Sequence, residues 1–502
     1  MATPQETAPS PTGMLDSPEA GARLIRGGIV RLVAFGVSLL ASLISAPLVI
    51  RHLGPSDYGY FATVTAIVFI IGGFTEGGLN ALGTREFASG RLDRGRLLRN
   101  LIGLRVTATA AGIAIAAIVA AAVGASHLIV YGVLLAGTGL IVTITGENLG
   151  IPLSAELRIT AVSVLGLAQQ VALTACYVAL VVIGAGTLPL LASTILSGAV
   201  LLGGTAFMVR GQASIIPAFD RAEWAALLRQ TLPYAVATAV GIIYFREALV
   251  LMSLLSTARE VSYYGAAFRI VEVLAVIPWT LISAAFPIFA RAAYKQDDAR
   301  LTYGLQRMFD VALIMGVWMA ASIIVGAQFG IAVVGGPRFG PSVPVLQIQG
   351  LAVVTSFMVA LFGSMLLALR LFRSLVWSNA IAVAVATVLS LALIPPFGAR
   401  GAAVAPTAAE ACLAIAYYVG LRRARPAVKV SLSLLPRIAL ATGVGLGIAY
   451  ALPISSAAAL FVFGAIYAGL CWLLGAIPFE VINAILRRRP PALENPDAEQ
   501  SS

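Results

Sequence analysis

Arg269 and Glu272, two full charges three residues apart, stand inside the otherwise apolar stretch YYGAAFRIVEVLAVIP that runs from Tyr263 to Pro278. A guanidinium keeps its charge at any physiological pH and presents a fork of donors suited to phosphate or carboxylate. A carboxylate beside it either pairs with it or serves as a proton or ion carrier. Similar polar positions recur elsewhere at helical spacing. Arg31, Ser38, Ser42 and Ser45 form one stripe, and Tyr58, Thr65, Gly72, Glu76 and Asn80 form a second. Ser262, Arg269, Glu272, Thr280 and Ser283 form a third, and Gln170, Thr174 and Tyr177 a fourth. Intervals of three, four and seven, and one of eight between Glu272 and Thr280, place each set on one face of a helix. Arg246 and Glu247 are adjacent and point about 100° apart on a helix of 3.6 residues per turn, so at most one faces the centre of a common chamber. Ser253, seven residues on, favours Arg246.

These side chains can do two kinds of work. Arg31, Arg246 and Arg269 can line a hydrated cationic chamber and hold a diphosphate, while Glu76, Glu272, Asn80 and Gln170 supply the hydrogen bonds that sugars require; Glu76, Glu247 and Glu272 are then candidates for ion coupling. Alternatively the charges are glue between helices, with Arg269 and Glu272 neutralising one another and the Ser and Thr stripes serving close packing. The same structural reading is open for Arg105, Glu147 and Glu410.

The elements that must position them follow from composition. Of 502 residues, 59% are hydrophobic and 11% charged, which indicates an all-α polytopic membrane protein. A crossing helix needs about 20 apolar residues. Fourteen such spans can be read, at 27–50, 58–82, 100–123, 128–150, 159–183, 188–209, 231–256, 262–288, 308–332, 345–368, 374–394, 402–421, 432–452 and 456–479. A charged residue at mid-bilayer costs about 2.5–3.5 kcal/mol on insertion scales, so the intramembrane Arg and Glu residues must face protein or water. With both termini in the cytoplasm, most of the 33 basic residues fall on that side. Arg51, Arg259, Arg338 and Arg400 fall outside, and Arg31, Arg105, Arg246 and Arg269 within spans, in accord with the positive-inside bias.

A repeat relates the two halves. DYGYFATV in span 2 echoes YYGAAFRI in span 8, and the interval between Tyr58 and Tyr264 also separates Arg85 from Arg291 and Gly124 from Gly330. Six-helix lobes at 23–210 and 231–421 therefore share one orientation about a pseudo-twofold along the membrane normal, with a cleft between them. The remaining segments are a cytoplasmic interfacial linker at 211–230, a helix pair 13 and 14 within 422–486, and disordered cytoplasmic tails at 1–22 and 487–502. The linker holds the amphipathic FDRAEWAALLRQ.

Other functions lack support. Three cysteines and two histidines lie apart, so no metal site or cofactor is indicated, and the +11 charge is dispersed between spans instead of gathered for nucleic acid. No GxxxxGK[ST] loop or external catalytic domain is present, so the reading is of a carrier, not an enzyme.

The stretch RHLGPSDYGYFATVTAIVFIIGGFTEGGLNALGTREFA, with its LGxxxYG turn, Gly-interrupted span and RE pair, resembles the oligosaccharide flippase (Wzx-type) family of polysaccharide exporters. That family shares its superfamily with multidrug extruders and peptidoglycan precursor flippases, and YYGAAFRIVEVLAVIP resembles the matching element of the second half. The resemblance implies a V-shaped pair of lobes that moves a polyprenyl-diphosphate-linked oligosaccharide by alternating access across a bacterial cytoplasmic membrane. It also implies membrane lipids, a polysaccharide polymerase and glycosyltransferases as partners. Arginines of the first helices of each lobe would line the cavity; Arg269 matches by motif, Arg31 and Arg246 by location. A peptidoglycan lipid precursor, a multidrug antiport activity and a scaffold for cell-wall enzymes are the alternatives.

Overall fold

The computed structural model describes residues 18–90, 93–210, 216–283 and 285–476, and no strand occurs among them. The helices, in chain order, are α1 (Pro18–Glu76), α2 (Leu79–Ser89), α3 (Arg94–Ala122), α4 (His127–Leu149), α5 (Ile151–Ala155), α6 (Ile159–Val182), α7 (Thr187–Met208) and α8 (Arg221–Leu255). They continue with α9 (Ala258–Leu274), α10 (Val276–Ser283), α11 (Phe286–Tyr294), α12 (Asp298–Val334), α13 (Ser342–Ala368), α14 (Phe372–Ala424), α15 (Leu435–Ala451) and α16 (Ser456–Leu473). A short 3-10 turn, Pro337–Phe339, precedes α13. The expected tail at 487–502 and residues 1–17 of the expected tail at 1–22 lie outside the described residues, while α1 already begins at Pro18.

Among the described residues the expected spans fall on helices, with residue 284 of the eighth span and residues 477–486 of the expected final helix pair lying outside them, but the helices do not divide as the spans do. Among the described residues ten helical stretches are long and apolar enough to cross a membrane, and α15 is shorter at 17 residues. At about 1.5 Å per residue the 59 residues of α1 would extend about 90 Å, three times the hydrocarbon thickness, were they straight. They are not: Gly54, at φ 67° and ψ −176°, breaks the helix between the first two spans. Gly398, at φ 54° and ψ −129°, does the same in α14, after Pro395 and Pro396. Only glycine enters these conformations without strain. Conversely, the eighth span is cut into α9, α10 and α11. Pro278 in the first turn of α10 and Pro287 in that of α11 lack the N–H that a through-running helix requires.

The helices gather into two compact units. The first comprises Met1–Arg269, Ile331–Val345 and Asn379–Ala409. Its core is centred on Val64, Ile71, Ile113, Val133 and Leu191 from α1, α3, α4 and α7. Small residues let α4 and α7 approach closely: a Cβ on Gly139 would lie 2.2 Å from Thr194 Oγ1, and one on Gly198 would lie 2.8 Å from Thr143 Oγ1. That is how helices associate where lipid offers no hydrophobic drive. Leu32, Val182 and Phe461 are among the large apolar side chains left exposed.

The amphipathic segment FDRAEWAALLRQ runs directly into α8, supplying its first turns from Arg221. Asp220 caps α8, accepting from the backbone N–H groups of Ala222 (3.0 Å) and Glu223 (3.3 Å). Arg96 of α3 pairs with Asp220 (2.7 Å) and Glu223 (2.5 Å), and Asn100 donates to Glu223. The Arg96 hydrogen bond, followed by the two backbone N–H groups, holds the Asp220 carboxyl below the usual carboxylate range.

The second unit comprises Ile270–Gly330, Leu346–Ser378 and Glu410–Ser502. Within it Tyr467 of α16 donates to Ile314 O of α12 at 2.9 Å, and Ser356 of α13 donates to Glu410 of α14 at 2.6 Å. Arg425 meets Asp298 at 3.1 Å.

Candidate functional site

The site is built on glycines that seat α1 against α8 and α9 inside the first unit. A Cβ on Gly59 would stand 1.9 Å from Ala258 O, one on Gly73 2.3 Å from Ile242 Cδ1, and one on Gly265 3.2 Å from Ala62 Cβ. With backbones this close, the polar stripes of α1 and α9 meet: Arg269 Nη2 donates to Ser42 Oγ at 2.5 Å. Both residues are half-buried. Tyr177 of α6 is within electrostatic reach of Arg269, and its ring meets Phe61 edge-on at 6.2 Å. The stripes read on α1, α6 and α9 thus converge at Arg269.

Arg246 of α8 is held differently. Its guanidinium carbon lies 4.5 Å from the ring centre of Phe69 (α1), 5.2 Å from Phe268 (α9) and 5.3 Å from Phe245. Phe245 and Phe268 meet edge to face at 5.2 Å. Aromatic faces attract a cation by about 0.5–2 kcal/mol each when water is excluded, so three rings offset part of the cost of placing this charge among apolar helices. Arg246 therefore arrives beside α9 at Phe268, the residue preceding Arg269.

The other expected site residues are distributed around this centre. Arg31 is exposed and sits eleven residues before Ser42, about 16 Å lower along α1, so it does not share the Arg269 contact. Glu76 folds back onto the backbone, accepting from Gly78 N at 3.0 Å. Asn80 lies in the first turn of α2, where its carbonyl accepts from Thr84 (2.9 Å). Gln170 is half-buried on α6 with Nε2 3.5 Å from Thr174 Oγ1. Glu272 is half-buried on α9, three residues past Arg269, and belongs to the second unit. Glu247 is buried; Oε2 accepts from Thr387 of α14 at 3.1 Å, and Oε1 is enclosed without a hydrogen-bond partner among the described residues.

Three polar arrangements have no counterpart in the stripes. Arg105 of α3, its side chain 2% exposed, donates to Asn148 Oδ1 (3.0 Å) and pairs with Glu147 (3.4 Å) on α4. Glu76 acts on it at longer range. Arg51 Nη2 donates to Ala332 O (2.8 Å) and Val333 O (2.6 Å), the end of α12. Glu260 of α9 accepts from Ala399 N at the α14 kink, 2.8 Å away. The only advance signals were intramembrane Arg105 and the Pro-Pro-Phe-Gly run at 395–398.

A polytopic helical bundle that carries cations inside its apolar helices has the general architecture of membrane transporters. The chain matches the model for polysaccharide biosynthesis proteins over residues 24–293, more than half its length, and belongs to that family, as the motifs in its first spans had suggested. No curated protein matches it in sequence. Among solved structures it is similar to the lipid II flippase MurJ in its inward closed conformation, at 12% identity and a TM-score of 0.73, with 90% of this chain and 100% of that one covered. It is also similar to a multidrug resistance MATE family transporter of the MOP superfamily in its inward-facing conformation, at 12% identity and a TM-score of 0.63, with 79% and 98% covered. A MOP superfamily transporter from Pyrococcus furiosus, described as having a binding pocket of reverse polarity, follows at 12% identity and a TM-score of 0.50, with 85% and 100% covered. At such identities the likeness is one of fold.

Proposed function

We propose that this protein is a flippase that moves a polyprenyl-diphosphate-linked oligosaccharide across the bacterial cytoplasmic membrane by alternating access, for surface polysaccharide biosynthesis. The observation that carries the reading is the Arg269–Ser42 bond, which joins the polar stripe of the first helix to the charged stripe of α9. A serine hydroxyl is a neutral acceptor. An anionic phosphate oxygen forms a stronger charge-assisted bond with the same guanidinium and displaces it. Arg246, fixed among three rings, supplies a second permanent cation on the adjoining helix. Two guanidiniums that cannot be deprotonated suit a diphosphate whose lipid tail stays in the bilayer.

Coupling falls to Glu247 among the three candidates. Glu76 is engaged by its own chain at Gly78, whereas Glu247 is buried with one oxygen on Thr387 and the other enclosed without a partner among the described residues. An enclosed carboxylate oxygen with no hydrogen-bond partner is a place where a coupling ion would be held. Both termini in the cytoplasm, and glycosyltransferases and a polymerase as partners, complete the reading.

The test is translocation of a fluorescent polyprenyl-diphosphate oligosaccharide in proteoliposomes. Arg269→Ala should abolish transfer while the protein still inserts and remains monodisperse, and Arg269→Lys should keep a fraction of it. Full transfer by Arg269→Ala would sink the proposal. A peptidoglycan lipid precursor presents the same diphosphate and, offered in parallel, decides between the two saccharides. Glu247→Gln should lose the dependence of transfer on a proton gradient without losing substrate binding.

A further inference from the structure

Away from Arg246 and Arg269, the first unit holds a cavity of about 520 Å³ where the end of α8, the start of α9 and the α14 kink meet. Its wall includes Ser256, Glu260, Tyr263, Phe397, Gly398 and Arg400. The volume lies within the range of about 300–1,000 Å³ typical of small-molecule sites. Pro395, Pro396 and the positive φ of Gly398 fix the kink as a rigid rim. The rim is shaped around a carboxylate: Glu260 Oε2 accepts from Ala399 N, and a Cβ on Gly398 would come within 2.5 Å of that oxygen. Tyr263 is held edge-on to Phe339, ring centres 6.2 Å apart at 89°. Phe397 projects its ring, 62% exposed, and Arg400 is exposed beside it.

We infer that this cavity is a saccharide-binding site, separate from the arginine centre, that holds the sugar portion of the cargo on the extracytoplasmic side. The inference rests on the flippase reading for its substrate and on the charge bias, which sets Arg259 and Arg400 outside, for its location. The lining has the complement a neutral pyranose requires. An exposed aromatic face covers the apolar side of a sugar ring, Glu260 accepts from hydroxyls, and Arg400, Tyr263 and Ser256 donate to ring and hydroxyl oxygens. One acid and one base leave no net charge for a diphosphate, and the mixed lining gives no continuous apolar track for a lipid chain. Sugar hydroxyls would also compete with Ala399 N–H for Glu260, so occupancy weakens the bond that ties α9 to the kink.

The test uses the full chain in nanodiscs and saturation-transfer NMR with a panel of neutral tri- to pentasaccharides without lipid. The wild type should give transfer to sugar protons. Phe397→Ala, which removes an exposed ring, should weaken binding about five-fold or more. Arg400→Ala should weaken it as well, and both variants decide the matter if Glu260→Gln loosens the kink. Arg269→Ala should bind the panel as the wild type does. Absence of transfer in the wild type, or unchanged binding in Phe397→Ala and Arg400→Ala, overturns the inference. If the lipid-linked saccharide is flipped but the panel does not bind, this site fails and the flippase reading stands; if the panel binds but no lipid is moved, the reverse holds.

Discussion

Arg51→Ala tests how the segment of α1 that ends at the Gly54 kink is fastened. In the structure one guanidinium nitrogen donates to Ala332 O at 2.8 Å and Val333 O at 2.6 Å. These carbonyls belong to the last turn of α12, where no intrahelical donor remains and the helix dipole is negative. Hydrogen bonds to a charged group are worth about 1.5–3 kcal/mol when buried. Arg51 is exposed, so solvent screening reduces the pair, with the dipole included, to about 1–2 kcal/mol. At about 1.4 kcal/mol per tenfold, removal shifts the balance between docked and undocked arrangements of this end about 5- to 30-fold. His52, whose ring nitrogen lies 2.7 Å from Ala185 O, remains as a second fastening and keeps the change from being larger. Spin labels on Ser56→Cys and Gly340→Cys, both at exposed sites, report the separation once Cys176, Cys412 and Cys471 are replaced. Pulsed dipolar spectroscopy should show a longer, broader distance population in Arg51→Ala, with Arg51→Lys intermediate. Superimposable distributions in the wild type and Arg51→Ala would refute the argument that these two bonds bias the equilibrium.

Three other outcomes are expected. Gly59→Val should lower the yield of monodisperse protein sharply on size-exclusion chromatography, because even its Cβ would stand 1.9 Å from a carbonyl oxygen of α9. Arg105→Ala should destabilise the first unit by about 1–3 kcal/mol, seen as a lower melting temperature in detergent, since it leaves the buried Asn148 carbonyl without its donor. Arg105→Lys should recover only part, lacking the fork that spans both acceptors. The Asp220 contribution to stability should be full at neutral pH and above the ordinary carboxylate range. It should fade as pH falls through the depressed native value, so the loss of melting temperature caused by Asp220→Asn should be full at pH 7 and should shrink progressively as pH is lowered below the ordinary carboxylate range.

How far the site could be read beforehand depended on the range of each interaction. Ser42 and Arg269 were visible because each lies on a stripe with helical spacing, and periodicity reports which side of a helix avoids lipid. Arg246 was visible as a charge, but its Phe69 and Phe268 neighbours come from two other helices and look like ordinary apolar positions in the chain. Arg31, equally charged and on the same stripe as Ser42, is placed elsewhere simply by its distance along α1. Glu260 gave no signal, since its partner Ala399 is a backbone N–H exposed only by the Gly398 kink.

Sequence by itself determined that the chain is a membrane bundle, where its apolar helices lie and which family it belongs to, because the cost of charge and bare backbone in hydrocarbon acts locally on every twenty-residue segment. It also limited the places where backbones could nearly touch, through glycines such as Gly59 and Gly265. Which cation meets which partner was decided only in three dimensions. The kinks at Gly54 and Gly398, and the seating of α1 on α9, set side chains from distant segments within 3 Å of one another, and no periodicity within a single helix encodes that distance.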